Sequence, residues 1–244
     1  MSSGLAAEPL RPTVAPLPRP AGRLGEIDRA KGVAMLLVVI GHLSWGAPPG
    51  NPWYDTLKNG IYLFHMPFFL FLSGFMFFYA HKPLTSAGQY FKTVGRRAGR
   101  ILPGYLIYGL AALCGKLALA SFGSVQTGPS SFWGGFVNLL CRPVKGPAIQ
   151  LWYLYVVMLY SLAMPLVLTA AGRYVACLLP VALAAHFLKG STLFASDFLL
   201  EYMFVIVLGC VAAQHYDGFR RMVVRFRLLW LAVFVAALAA VMVQ

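Results

Sequence analysis

Five apolar stretches, at about 27–47, 61–80, 101–121, 149–170 and 197–216, come close to the length that most restricts what a chain can fold into. A helix rising 1.5 Å per residue needs about 20 apolar residues to cross roughly 30 Å of hydrocarbon. Lipid offers backbone groups no partner, so a spanning segment must be a helix or a strand of a closed barrel. Barrel strands alternate polar and apolar residues, and these stretches do not. Two weaker segments extend the series: 173–188, which is short and holds Pro180, and 228–243. The expectation is an all-α polytopic membrane protein, a bundle of about seven transmembrane helices. Composition agrees, with 59% of residues hydrophobic and 11% charged, where a soluble domain has about 45–50% and about 25%. Between the third and fourth spans, residues 131–147 are too few to cross and read as an interfacial or re-entrant piece.

The formal charge of +13 sorts by side. With the N-terminus in the cytosol, fifteen of the twenty basic residues fall on cytosolic segments, while Lys58, Arg142, Lys145 and Lys189 fall on outer ones. That is the asymmetry of the positive-inside rule, and it accounts for the charge without nucleic acid as a partner. The four cysteines have no CxxC or CxxH spacing and the five histidines no HxxxH spacing, so neither a disulfide framework nor a metal site is expected. Residues 1–26 are rich in Pro, Ala and Gly and have no apolar region ahead of a cleavage site. They read as a disordered cytosolic tail ahead of one helical domain, 27–244.

The first span, from Asp28 to Gly46, combines an apolar body with Asp28, Arg29 and Lys31 at one end and His42 near the other. On a helix, positions eleven apart differ by about 20° and positions fourteen apart by about 40°, so Asp28, Lys31 and His42 share a face. Lys31 and His42 are about 16 Å apart along it, too far to touch but within reach of one long ligand. Ionisable groups inside a span face a bundle interior or a watery cavity rather than lipid. Read on their own, His42 could equally be a core histidine satisfied by a neighbour, and Lys31 a positive-inside anchor. His65 begins the second span, whose Ser73 and Gly74 are small enough for close helix approach. Arg96, Arg97 and Arg100 gather at the entry to the third, and Arg97 and Arg100, three apart, share a face suited to phosphate. A purely topogenic basic cluster would look the same.

Taken in order, DRAKGVAMLLVVIGH, FHMPFFLFLSGFMFF, RRAGRILPGY, LWYLYVVMLY and FLLEYMFVIVLGC resemble the landmarks of the membrane-bound acyltransferase 3 family, from about Asp28 to about Gly209. Members are polytopic bacterial inner-membrane proteins that use acetyl-CoA or another acyl-CoA from the cytosol to O-acylate glycans and other acceptors. The family's basic residue placed ahead of the first-span histidine matches Lys31 and His42, and lysine at that place resembles the branch that includes sugar O-acetylases. The family's third-span basic motif matches Arg97 and Arg100. Trp152 and Glu201 match more loosely and receive no role. Members usually have more spans than this chain, so the sequence is expected to be a fragment lacking C-terminal spans.

Acyl transfer from a thioester to a hydroxyl needs a base, groups to steady the oxyanion, and an anchor for the donor. The resemblance implies His42 as base or acyl carrier, with His65 as a second catalytic candidate. It implies acyl-CoA phosphates held near Lys31, Arg97 and Arg100, with no permanently bound cofactor. The expected partners are acyl-CoA, a glycan or lipid-linked sugar acceptor, and the bilayer. A transporter or flippase-like protein is the alternative, because intramembrane His and Glu also line transport paths. Matching halves with interrupted helices, which that class favours, do not stand out in this sequence.

Overall fold

The structure, a computed structural model, describes residues 24–42, 52–120, 122 and 131–242, and the side chains of His42, Pro52, Trp53, Leu238, Val241 and Met242 lie outside that description. The expected N-terminal tail lies outside it as far as residue 23. The described residues form helices α1 (Gly25–His42), α2 (Pro52–Tyr79), α3 (Ala87–Ala120), α4 (Phe132–Cys141), α5 (Trp152–Ala171), α6 (Leu178–His186), α7 (Ser196–Gln214), α8 (Tyr216–Arg225) and α9 (Arg227–Met242). No strand occurs among them. Four helical segments are long and apolar enough to cross a membrane: Tyr54–Tyr79, Ala87–Ala120, Ile149–His186 and Leu193–Gln214. Large apolar side chains such as Leu36, Ile107 and Leu228 point outward, more than 60% exposed. In water such a surface would be an aggregation site, whereas in lipid it is the ordinary exterior.

Ile149–His186 is continuous only nominally. Gly172, at φ +53°, turns the chain back after α5, a backbone conformation glycine adopts without steric cost. The returning segment runs antiparallel to α7: Gln214 Nε2 donates to the Arg173 carbonyl at 2.7 Å, and the His186 imidazole meets the Glu201 carbonyl at 2.9 Å. The same kind of contact orients the other helices. Tyr54 OH donates to the Ile40 carbonyl at 2.7 Å while Ile27 packs among Leu72 and Phe75, so α1 and α2 are antiparallel. Tyr90 OH reaches the Leu162 carbonyl and Gln150 Nε2 reaches Tyr108 OH, each at 3.3 Å, so α3 and α5 are antiparallel. Ser73 meets Tyr153 and His81 meets Thr169, so α2 and α5 are parallel. One end of the bundle, here the basal end, therefore holds the starts of α1 and α3 and the ends of α2, α5 and α7. The apical end holds the reverse set together with α4.

The third helix begins well before the expected start of its span. A capping pair explains this: Ser86 Oγ accepts the Gln89 N–H at 3.3 Å and Gln89 Oε1 accepts the Thr85 N–H at 3.0 Å, the reciprocal arrangement that seeds helix starts. Arg96, Arg97 and Arg100 thus lie inside a 34-residue helix rather than at its mouth. The interfacial segment is the short helix α4, capped by Ser131 Oγ accepting from Gly134 N at 3.1 Å. A helix leaves its last carbonyls without internal partners, and here Tyr105 OH and Tyr155 OH each donate, at 2.7 Å, to the carbonyls of Leu139 and Leu140. The closest packing joins α2 to α7. A methyl at Gly74 would run into the Ile206 carbonyl, and one at Gly209 into the Phe71 carbonyl. Cys210, buried beside this crossing, donates its thiol to the Gly74 carbonyl at 3.1 Å.

Candidate functional site

At the basal end, α1, α2, α3 and α5 border an open cavity of about 260 Å³. Lys31 from α1 and Arg97 and Arg100 from α3 line it, together with Ser73 and Phe77 from α2 and Val157 and Ser161 from α5. The three basic residues named from sequence therefore come from two helices to one space. Their local helices explain the convergence. Arg97 and Arg100 sit one turn apart on α3, and Lys31 lies two turns into α1, where that helix packs against the end of α2.

Arg97 is the most constrained of the three. Its guanidinium carbon lies 5.2 Å from the Phe77 ring centroid, a cation–π distance. Its Nη1 is buried with no hydrogen-bond partner in the structure. A buried guanidinium donor without an acceptor is costly, and an anionic oxygen entering the cavity would supply one. Arg100 is exposed and Lys31 half-buried, so both can reach a ligand from the solvent side. The hydroxyls of the wall turn partly inward on their own helices. Ser73 Oγ donates to the Phe69 carbonyl at 2.9 Å and meets Tyr153 OH at 3.1 Å, and Ser161 Oγ donates to the Val157 carbonyl at 2.7 Å.

The histidines lie toward the apical end. His65 is completely buried, and its Nδ1 is 2.7 Å from the Ile61 carbonyl. A carbonyl only accepts, so Nδ1 carries the hydrogen and Nε2 is the proton acceptor of the neutral ring. The Tyr62 ring stands edge-on to that imidazole with centroids 5.2 Å apart, and Tyr62 OH donates to the Gly41 carbonyl at 3.3 Å. Gly41 itself packs on Ile61, with space for no more than an ordinary contact. The last turn of α1, which ends at His42, is thus held against the α2 turn that carries His65. The His42 side chain lies outside the described residues, so its direction adds nothing to this placement. His65 does not line the cationic cavity. It is eight residues along α2 from Ser73, which is about 12 Å.

Ser161 and Phe77 escape sequence reasoning because each looks like an ordinary member of an apolar run. A lone hydroxyl recurring in otherwise apolar helices, Ser73 and then Ser161, was the available signal. Ser73 and Gly74, read together as packing residues, divide the work: Gly74 meets α7, while Ser73 faces Tyr153 and the cavity.

A helical bundle with an apolar exterior, three cations around one basal cavity and a buried histidine farther up the same helix pair is a membrane protein equipped to take an anionic ligand. More specifically, this chain belongs to the acyltransferase 3 family, whose model, described as an acyltransferase domain, matches residues 24–244. No curated protein and no solved structure matches the chain.

Proposed function

We propose that this acyltransferase moves an acetyl or other acyl group from acyl-CoA to a hydroxyl of a glycan or other cell-envelope acceptor. In this reading seven helical passes cross the bacterial inner membrane, with the N-terminus and the basal end in the cytosol. The observation that carries the proposal is the meeting of Lys31, Arg97 and Arg100 on one cavity, with a buried Arg97 donor that has no hydrogen-bond partner. Charge placement supports the orientation. Lys92, Arg96, Arg173, Arg220, Arg221 and Arg225 sit at the basal end as well, whereas Lys58, Arg142, Lys145 and Lys189 sit apically.

Phosphates of the donor bind Arg97, Arg100 and Lys31, with the guanidinium groups offering forked donors. The thin pantetheine arm extends along the α1–α2 interface toward the histidines, a rise of about 16 Å from Lys31 to His42. His42 takes the proton of the acceptor hydroxyl as its oxygen attacks the thioester carbonyl carbon. The carbon–sulfur bond then breaks, and the leaving thiolate takes the proton back from the imidazolium. His65, with Nε2 as its acceptor nitrogen, assists from the facing helix.

The test is transfer of label from radioactive acetyl-CoA into envelope material by membranes containing the chain. His42→Ala is expected to reduce incorporation at least a hundredfold, the usual contribution of a general base, and His65→Ala to reduce it less. Full incorporation by His42→Ala membranes would remove His42 from the mechanism.

A further inference from the structure

Between α7 and α9 lies α8 (Tyr216–Arg225), whose ten residues are too few to cross a membrane. Its flanking residues leave helical geometry, His215 at φ −109°, ψ 40° and Phe226 at φ −103°, ψ 22°, so α8 is set off from both neighbours. We infer that α8 lies in the surface of the basal leaflet and binds the headgroups of anionic phospholipids through Arg221 and Arg225. The inference concerns the membrane around the protein and does not rest on the acyl-transfer reading.

At 100° per residue, Phe219, Met222, Val223 and Phe226 fall within about 100° of one another, while Arg221 and Arg225 lie about 120–160° from Phe219. The segment therefore has an apolar face and a basic one. Its apolar face begins on the protein: the Tyr216 ring meets Phe75 and the Phe219 ring meets Phe71, each with centroids 5.9 Å apart. These contacts put α8 level with the start of α1, where Ile27 packs in the same cluster. Beyond that first turn the described residues give no cover, and Met222, Val223 and Phe226 are exposed.

Two features say what covers that strip. First, it runs on into the exposed Leu228, Leu229 and Leu231 of α9, an apolar exterior that only lipid suits, so the bilayer is the neighbour at this height. Second, the opposite face is basic and open. Arg221 and Arg225, one turn apart, share a side, are exposed, and form no ion pair among the described residues, whereas Arg220 is engaged by Glu26. Asp217 is the single acid of residues 216–227, against four arginines. A nucleic acid or an acidic protein would match the arginines but leave the apolar strip in water. A bilayer surface meets both needs, with acyl chains beneath Met222 and Val223 and phosphates forked by the guanidinium groups. A zwitterionic headgroup offsets its phosphate with its own ammonium, whereas an anionic one leaves that charge to the arginines. Through Arg220 and Glu26 the lipid-bound helix is tied to α1, which brings Lys31 to the basal cavity.

The test places the full chain in nanodiscs of equal parts phosphatidylglycerol and phosphatidylcholine. A bimane fluorophore is attached through Met222→Cys, in a background with Cys114, Cys141 and Cys177 changed to serine and the buried Cys210 kept. One lipid at a time carries bromines near the headgroup end of its chains, and quenching reports which lipid touches α8. The expected result is quenching by both lipids, at least twofold stronger from phosphatidylglycerol, and equal from the two in Arg221→Gln/Arg225→Gln. Continued quenching in that variant shows that α8 still packs against the bilayer, and Arg221→Lys/Arg225→Lys should keep the preference. Loss of all quenching in the glutamine variant supports the site if the lysine variant restores it and counts against it otherwise. Equal quenching with the native arginines, or a preference that survives the glutamine changes, would overturn the anionic-headgroup site. No quenching by either lipid with the native arginines would overturn the interfacial placement itself and turn the strip over to a protein partner.

Discussion

Arg97 is where composition, helix geometry and chemistry meet. It is partly buried, stacked over Phe77, and carries a buried donor with no acceptor. A structural role alone would be served by the cation–π contact. A binding role predicts that Arg97→Ala lowers acetyl-CoA affinity at least tenfold, in keeping with the loss of one charge-assisted hydrogen bond. Arg97→Lys should recover only part of it, since an ammonium cannot copy the planar fork. Titration of the two variants side by side checks this, and equal binding by wild type and Arg97→Ala would reduce Arg97 to a packing residue. Lys31, Arg97 and Arg100 could be singled out in the sequence because charge next to an apolar run is conspicuous and helical spacing fixes the face. Phe77 and Ser161 could not, because an aromatic or a serine in an apolar run has many uses, and only the approach of α5 to α2 selects one. The Ser86–Gln89 cap was visible as a Ser-x-x-Gln pattern, yet the polar stretch after it hid a helix that the apolar count places later.

Among the elements, the α2–α7 crossing depends on two glycines whose missing methyls let backbone approach backbone. Gly74→Ala and Gly209→Ala should each destabilise the chain by about 3 kcal/mol or more, because overpacking against a carbonyl has no flexible neighbour to yield. Gly95→Ala, on α3 with nothing within 4 Å of the added methyl, should instead stabilise by roughly 0.5–1 kcal/mol through helix propensity. Thermal unfolding in detergent distinguishes the two outcomes. A second element-scale device joins α8 to α1: Arg220 Nη2 lies 3.0 Å from Glu26 Oε1, and Tyr216 OH donates to Glu26 Oε2 at 3.2 Å. The Arg220 hydrogen bond, above all, holds the Glu26 carboxyl below its ordinary value of 4.5. A depressed carboxylate pKa adds stability above the unfolded-state value, and that stability is lost as pH falls through the folded one. Docking of α8 should therefore weaken below about pH 4.5, and salt, which screens this exposed pair, should shrink that dependence. Arg220→Ala should flatten that dependence, as read by the pH profile of unfolding.

For the whole molecule, four helical segments are long and apolar enough to cross a membrane, and lipid, which offers backbone groups no partner, obliges such segments to stay helical. That part of the fold was open to sequence reading, since apolar length marks each of the four. The reversal at Gly172 was foreseen only as a gap between spans, because a positive φ at one glycine is invisible in hydropathy. Charge sorting predicts the orientation. In a background with the four native cysteines changed to serine, Lys145→Cys should react with an impermeant maleimide in intact cells and Arg221→Cys only after permeabilisation, and the reverse pattern would invert the molecule. The central claim is that the basal cavity is an acyl-CoA site, and calorimetric titration of acetyl-CoA into the purified chain tests it most directly. The account predicts saturable binding that weakens in Lys31→Ala, Arg97→Ala and Arg100→Ala and survives in His42→Ala. Absence of binding by a folded chain, or binding indifferent to all three basic residues, would contradict it.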